Sequence, residues 1–240
     1  MKSTLIDVCH TIHDGMITYR GLPAPVISDY LSREEARQRY EGGAEFHIGK
    51  LEMVANTGTY IDSPFHRYAN GKDLSELELN SVANLEGLVI RCLDKKERLI
   101  GPSTLAGLEL RGKAVLFHTG WDKNWRTDNY WNGSHPCLNS AAAKHLADSG
   151  AALVGIDSYN IDDTVDGHRP VHSILLGEGI PIVEHLCGLN ELPDSGFRFF
   201  AVPVKIKSFG TFPVRAFGIV SSRREVVRET ESIPYGQPGN

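Results

Sequence analysis

Asn56-Thr57-Gly58-Thr59-Tyr60-Ile61-Asp62-Ser63-Pro64-Phe65-His66 is the most informative stretch of this 240-residue chain. Its small residues, Thr57, Gly58 and Thr59, let the backbone approach another group closely. Pro64 lacks an N–H and forbids a regular helix across the segment. The stretch therefore reads as a loop that follows a strand, and loops carried on rigid strands are where functional residues concentrate. Asp62 and His66 are its candidate functional side chains. On local chemistry alone, Asp62-Ser63-Pro64 also suits an Asx-turn followed by a surface histidine.

Around this stretch the chain alternates short apolar, β-branched runs with a few helical signals. Leu5–Val8, Gly87–Leu93, Ala114–His118, Ala151–Ile156, Phe199–Ile206 and Ala216–Val220 read as strands. Ser32-Arg33-Glu34-Glu35 is a capping box that opens a helix through about Tyr40. Asn139-Ser140, the run Ala141–Asp148 and then Gly150 form a capped helix with a glycine stop. Many strands and few helices point to an α/β class of α+β character, a single β-rich domain with a mixed sheet at its core. That domain is expected over 1–220, with 221–240 a polar C-terminal arm or tail, because the composition there cannot build a core.

A second cluster lies far downstream: Gly167-His168-Arg169-Pro170-Val171-His172, then Ile182-Val183-Glu184. His168 and His172 would share a helix face at a spacing of four. Pro170 stands between them and argues against an unbroken helix, so His168 is not counted as a ligand. His172 and Glu184 are joined by an apolar stretch containing Gly177 and Gly179. An imidazole and a carboxylate brought together by such a turn suit a borderline divalent metal. The competing reading is a Glu184 at a strand edge in solvent. His10, His13, His47, His118, His135, His145 and His185 stand alone and read as satisfied or solvated side chains.

Composition narrows the function classes. The chain is 41% hydrophobic and 23% charged, ordinary for a globular protein large enough to bury a core without disulfides. A formal charge of −5 (25 Lys+Arg against 30 Asp+Glu), with no basic block inside the expected domain, argues against a nucleic-acid partner. The four cysteines are scattered without a CxxC pair, which is neither a disulfide scaffold nor a zinc knuckle, and reduced thiols are expected. Met1–Asp7 meets an acidic residue before any apolar core develops, unlike a secretory signal. No window reaches the roughly 20 apolar residues of a membrane span. The expected compartment is the cytoplasm, with no membrane partner.

The two clusters together resemble the cyclase family, which includes bacterial kynurenine formamidase and isatin hydrolase and whose signature runs His-x-Gly-x-His-x-Asp-x-Pro-x-His. Leu5-Ile6-Asp7, Phe117-His118-Thr119-Gly120-Trp121 and Phe212-Pro213-Val214-Arg215-Ala216 extend the resemblance over most of the chain. It implies a swivelling β/β/α fold. It also implies that Asp62 binds or bridges metal, that His66 is the acid/base, and that His172 and Glu184 complete the metal site. Asn56 and Tyr60 stand where the family has its first two signature histidines. Asn offers a neutral carbonyl oxygen and Tyr is a poor ligand while protonated, so both become substrate-contacting or degenerate ligand positions. What is left, Asp62, His172 and Glu184, is enough for one Mn²⁺ or Zn²⁺ ion rather than two.

The resemblance further implies hydrolysis of a C–N amide bond in a small substrate, an arylformamide of the N-formylkynurenine kind or a cyclic amide, through metal-activated water. Phe65 and Trp121 are candidates to line the substrate pocket, although core packing suits them equally. The resembling family forms oligomers, so a dimer or tetramer of identical chains is expected. Two other readings compete. One is a catalytically impaired relative that binds a small molecule or serves a structural role, favoured by Asn56 and Tyr60. The other is a metal-free hydrolase with Ser63 as nucleophile beside Asp62 and His66, disfavoured by the absence of a G-x-S-x-G elbow.

Overall fold

The computed structural model describes residues 3–93 and 97–221, so the arm expected over 221–240 lies outside the described residues except for Ser221. The first elements are β1 (Ser3–Asp7), β2 (Val26–Leu31), α1 (Arg33–Arg39), β3 (Ile48–Glu52), β4 (Tyr60–Asp62) and β5 (Leu85–Arg91). The middle of the chain gives β6 (Leu99–Ile100), β7 (Lys113–His118), β8 (Cys137–Leu138), α2 (Ser140–Asp148) and β9 (Leu153–Ile156). Then follow α3 (Pro170–Gly177), β10 (Ile182–Glu184), β11 (Ser195–Phe200), β12 (Thr211–Pro213) and β13 (Phe217–Ser221).

Nine strands form one sheet in the order β1-β13-β11-β5-β7-β9-β10-β4-β12. Its centre, β5-β7-β9-β10, is parallel, while both flanks are antiparallel. This is the mixed, β-rich single domain with few helices that the sequence predicts. The central strands read as continuous apolar runs because both faces are covered. Val115, Phe117, Val154 and Ile156 face a cluster shared with Ala142 and Leu146 of α2 and Val171 and Leu175 of α3. Ala114, Leu116 and Leu153 face the other way, onto Leu186, Leu189, Phe197 and Phe199. Each of the buried Val, Leu, Ile and Phe side chains among these contributes about 2 kcal/mol of transfer free energy.

Local chemistry explains the first two helices. Ser32 accepts from Glu35 N at 3.2 Å while the Glu35 carboxylate accepts from Ser32 N at 2.9 Å, the reciprocal capping box. Asn139 caps α2 through Ala142 N at 2.9 Å, and Gly150 takes a left-handed φ of +73° just past its end.

Three expectations need correction. Tyr60–Asp62 is a strand, not a loop, and the 3₁₀ turn Pro64–His66 follows it; three residues are too few to show a strand period. Pro170 does not break a helix but opens one at its first position, where its missing N–H has no partner to lose. Finally, the run Phe199–Ile206 pairs only over Ser195–Phe200, and residues 201–206 leave the sheet. The four cysteines are free thiols, as expected.

Candidate active site

The antiparallel flank builds the site. In β4, Tyr60 lies opposite Glu184 of β10, and Asp62 lies opposite Thr211 of β12. Alternation along a strand puts Tyr60 and Asp62 on one face and Ile61 on the other, within the second core cluster. Cross-strand partners share a face, so Glu184 and Thr211 join Tyr60 and Asp62. α3 packs over β10 and brings His172 down onto this group.

The result is a dense, buried polar cluster. His172 Nε2 lies 3.7 Å from Asp62 Oδ2 and 3.6 Å from Glu184 Oε1. Asp62, His66 and His172 each present a ligand atom, all within 4.8 Å of one another. Asp62, His172 and Glu184 are buried, whereas the His66 side chain is 36% exposed. Tyr60 Oη donates to Glu184 Oε2 at 2.6 Å, and Ile161 N donates to Oε1 at 2.6 Å. Glu184 is therefore no solvent-facing edge residue. A cavity of about 280 Å³ opens above the cluster, lined by Tyr19, Asn56, Tyr60, His66, His172 and Glu184 among others. Trp121 and Phe65 are not in that lining; the Trp121 indole donates to the Tyr130 carbonyl at 3.2 Å. His168 is exposed and bonded to Asp166, clear of the cluster.

Two residues that the sequence reading missed hold the cluster in place. Asp162, fully buried, accepts from Val171 N at 2.8 Å and from His172 N at 2.9 Å, and meets His172 Nδ1 at 2.7 Å. It caps α3 and fixes the imidazole at once, leaving Nε2 to face Asp62 and Glu184. Thr211 Oγ1 donates to Asp62 Oδ1 and lies 2.7 Å from His66 Nδ1. The hydroxyl has one proton. Given to Asp62, it obliges Thr211 to accept from His66 Nδ1–H, so the basic nitrogen of His66 is Nε2. Asp162 could have been suspected as an acid ten residues before a candidate ligand, but nothing in the sequence marks Thr211.

The electrostatics favour positive charge at this point. Burial pushes the His172 pKa down, but its bond to Asp162 and the nearby charges of Asp62 and Glu184 outweigh that and hold it up at about 10. Burial also drives Glu184 up, to about 7, against the pull of His172. At Asp62 burial is outweighed by His66, His172 and Thr211, and its carboxyl sits below the ordinary range. Burial and the neighbouring Glu184 keep Tyr60 protonated well past its usual value. One oxygen, Asp62 Oδ2, is buried with no hydrogen-bond partner among the described residues. A buried carboxylate oxygen without a donor, facing an imidazole nitrogen whose ring is braced by a second carboxylate, is the donor set a divalent cation takes. The residues fit a metal.

Gly210 sets the position of His66. A Cβ on Gly210 would lie 2.6 Å from the His66 Cα and backbone N, while its carbonyl accepts from Ser63 N at 2.7 Å. Gly210→Ala is expected to displace His66 and lower turnover about a hundredfold, as misplacement by roughly an ångström does. Steady-state rates on a variant whose circular dichroism matches the parent check this.

A nine-stranded mixed sheet with a buried Asp–His–Glu cluster under a small cavity is the frame of a metal-site enzyme. The chain belongs to the family described as Putative cyclase, whose model matches residues 6–163. It is 27% identical over 224 residues to a kynurenine formamidase of Bacillus thuringiensis subsp. konkukian (strain 97-27), covering 89% of this chain and 96% of that protein. The fold matches isatin hydrolase A from Labrenzia aggregata with a TM-score of 0.78 at 21% identity, over 92% of this chain and 94% of that one. A protein described as a potential metal-dependent hydrolase with cyclase activity matches with a TM-score of 0.75 at 23% identity, over 92% and 100%.

Proposed function

We propose that the chain is a metal-dependent hydrolase of C–N amide bonds in small molecules, such as arylformamides of the N-formylkynurenine type or small cyclic amides, and that it uses one Mn²⁺ or Zn²⁺ ion. The observation that carries this is the buried, unpartnered Asp62 Oδ2 beside His172 Nε2. Asp62, His172 and Glu184 would hold the ion. Bound there, a divalent cation polarises a carbonyl and lowers the pKa of a coordinated water from 15.7 towards about 7.

The chain's own residues do the rest. Asp162 keeps His172 oriented, and Tyr60 and Ile161 N fix the Glu184 carboxylate. Thr211 holds His66 with Nε2 free. That nitrogen takes a proton from the attacking water and returns it to the departing amide nitrogen. The names of the relatives, kynurenine formamidase and isatin hydrolase, support the bond type. Stripping the protein with a chelator is expected to lower hydrolysis of N-formylkynurenine at least a hundredfold, and single additions of Mn²⁺ or Zn²⁺ to restore it. Turnover unchanged by stripping would overturn the reading.

Asn56 and Tyr60 favour a second reading, a family member that binds a small molecule without turning it over. Purified protein lacking stoichiometric metal, with no turnover dependent on His66, would establish it. For assembly, the reading is a homo-oligomer in the cytoplasm, a dimer or tetramer, with 221–240 as a polar arm or tail. What supports self-association is the β2–β3 ribbon, whose Val26, Ile27, Tyr30, Ile48 and Leu51 are exposed. A two-stranded ribbon is marginal on its own.

A further inference from the structure

Asn160 stands in the cavity wall beside the two bonds that hold the candidate ligands. The next residue, Ile161, gives its N–H to Glu184, and the one after it, Asp162, holds the His172 ring. Asn160 itself is 7% exposed and lines the cavity with Tyr60, His172 and Glu184. Its orientation is fixed twice over. Asn160 Oδ1 accepts from Asp162 N at 3.0 Å, closing an Asx-turn, and its backbone carbonyl accepts from Ser158 Oγ at 3.0 Å. A flipped amide would set an NH₂ group against the Asp162 N–H, donor against donor, so the oxygen end faces the backbone and Nδ2 faces away from it.

Among the described residues Nδ2 donates to no acceptor, yet it is not one of the buried polar atoms that lack a partner. The small exposed part of Asn160 therefore includes its amide nitrogen, and the space that nitrogen meets is the cavity. With its oxygen engaged, the side chain offers the cavity two N–H donors, which suit an electron-rich oxygen and not a cation. Its neighbours Asp62 and Glu184 are acceptors, and the Tyr60 hydroxyl proton goes to Glu184. Arg67 and Arg169 bring donors to the same lining on long side chains, the first exposed and the second half-buried. Asn160 is short, buried and pinned, as a preorganised donor has to be.

We propose that Asn160 is a catalytic residue whose Nδ2–H groups bind the carbonyl oxygen of the reacting amide and hold it more tightly as that oxygen takes on charge. The reaction rests on the hydrolytic reading; the contact rests on the geometry of Asn160 alone. When the water oxygen bonds to the carbonyl carbon, the C=O π pair moves onto the oxygen that Asn160 faces. When the C–N bond breaks, that pair re-forms C=O and the departing nitrogen takes its proton from His66. The oxygen carries its full charge only between these steps, so the contact raises the rate more than it raises ground-state affinity.

The test uses formanilide, a neutral arylformamide, on zinc-loaded protein. Asn160→Asp keeps the oxygen that Asp162 N needs and deletes both donors, while Asn160→Ala deletes the amide without adding charge. Both are expected to lower kcat about 10²–10³-fold, the cost of one oxyanion donor, with KM within about threefold of the parent and metal bound at the parental stoichiometry. A second arm needs neither turnover nor a variant. The Asn160 side-chain NH₂ signals in an NMR spectrum of the ¹⁵N-labelled, zinc-loaded parent are expected to move on addition of acetophenone, which has an aryl carbonyl and no C–N bond, and to stay in place with ethylbenzene, which lacks the oxygen. If the parent does not hydrolyse formanilide yet acetophenone alone moves these signals, the hydrolytic reading fails and the donor contact stands. Parental kcat in Asn160→Ala, or signals that acetophenone leaves in place, overturns the proposal. Loss of metal together with turnover also overturns it, since Asn160 would then act only through Asp162. If neither variant folds, the spectrum of the parent decides.

Discussion

Replacing His66 by alanine is expected to cut amide hydrolysis by about 10²–10⁴-fold, the usual contribution of a positioned acid/base, while the protein keeps its metal. The reasoning is geometric. Thr211 gives its proton to Asp62 and takes the one on His66 Nδ1, so His66 meets the cavity with a basic Nε2. Its side chain is partly exposed, where a proton can be exchanged with solvent, whereas His172 and Glu184 are enclosed. Elemental analysis alongside steady-state rates checks both halves. Glu184→Gln is the matching control and is expected to lose the ion, since the carboxylate charge is then gone. His66 also presents a nitrogen within 4.8 Å of the Asp62 and His172 ligand atoms. Loss of metal from His66→Ala would therefore reassign it as a ligand and remove it as proton carrier.

Asp162→Ala is expected to do the most damage to the folded state. The carboxylate is fully buried and serves Val171 N, His172 N and the His172 ring. Removing it strands three donors without solvent, at about 1–3 kcal/mol each when unmet, so a loss of about 3–5 kcal/mol is expected by urea denaturation. Metal affinity should fall about 10–100-fold in the same variant, because the imidazole loses the partner that fixes its ring. Asp162→Asn, which keeps an acceptor oxygen, should be milder on both measures. The pH dependence adds a check in metal-free protein. His172 is held up at about 10 by its carboxylates. Its raised pKa stabilises the folded state fully below about 6.5, the ordinary histidine value, and that stabilisation is lost as pH rises through about 10. Without Asp162 this alkaline loss of stability should shrink.

How legible the protein was depends on how far each decisive interaction reaches along the chain. The starts of α1 and α2 could be read because their caps lie within three residues of the bonds they satisfy: Ser32 with Glu35, Asn139 with Ala142. The central strands were readable because burial on both faces leaves unbroken apolar runs such as Ala114–Phe117. The exposed β2–β3 ribbon, by contrast, has no apolar run and was not seen. At the site, Asp62, His66, His172 and Glu184 were singled out by motif and resemblance, which named the residues but not their contacts.

Residue types and local spacing, then, determined by themselves the β-rich class, two helix starts and the four side chains worth suspecting. Tertiary structure alone decided that the three-residue β4 lies between β10 and β12, bringing Asp62 beside Thr211, 149 residues away in sequence, and Tyr60 beside Glu184, 124 away. It also decided that Asp162 rather than Arg169 caps α3, and that Arg67 and Arg169 share one cavity wall. The physical reason is that cross-strand register and helix docking are set by burial summed over the whole sheet, whereas a local pattern reports only the few residues that hydrogen-bond or stack within a turn of one another.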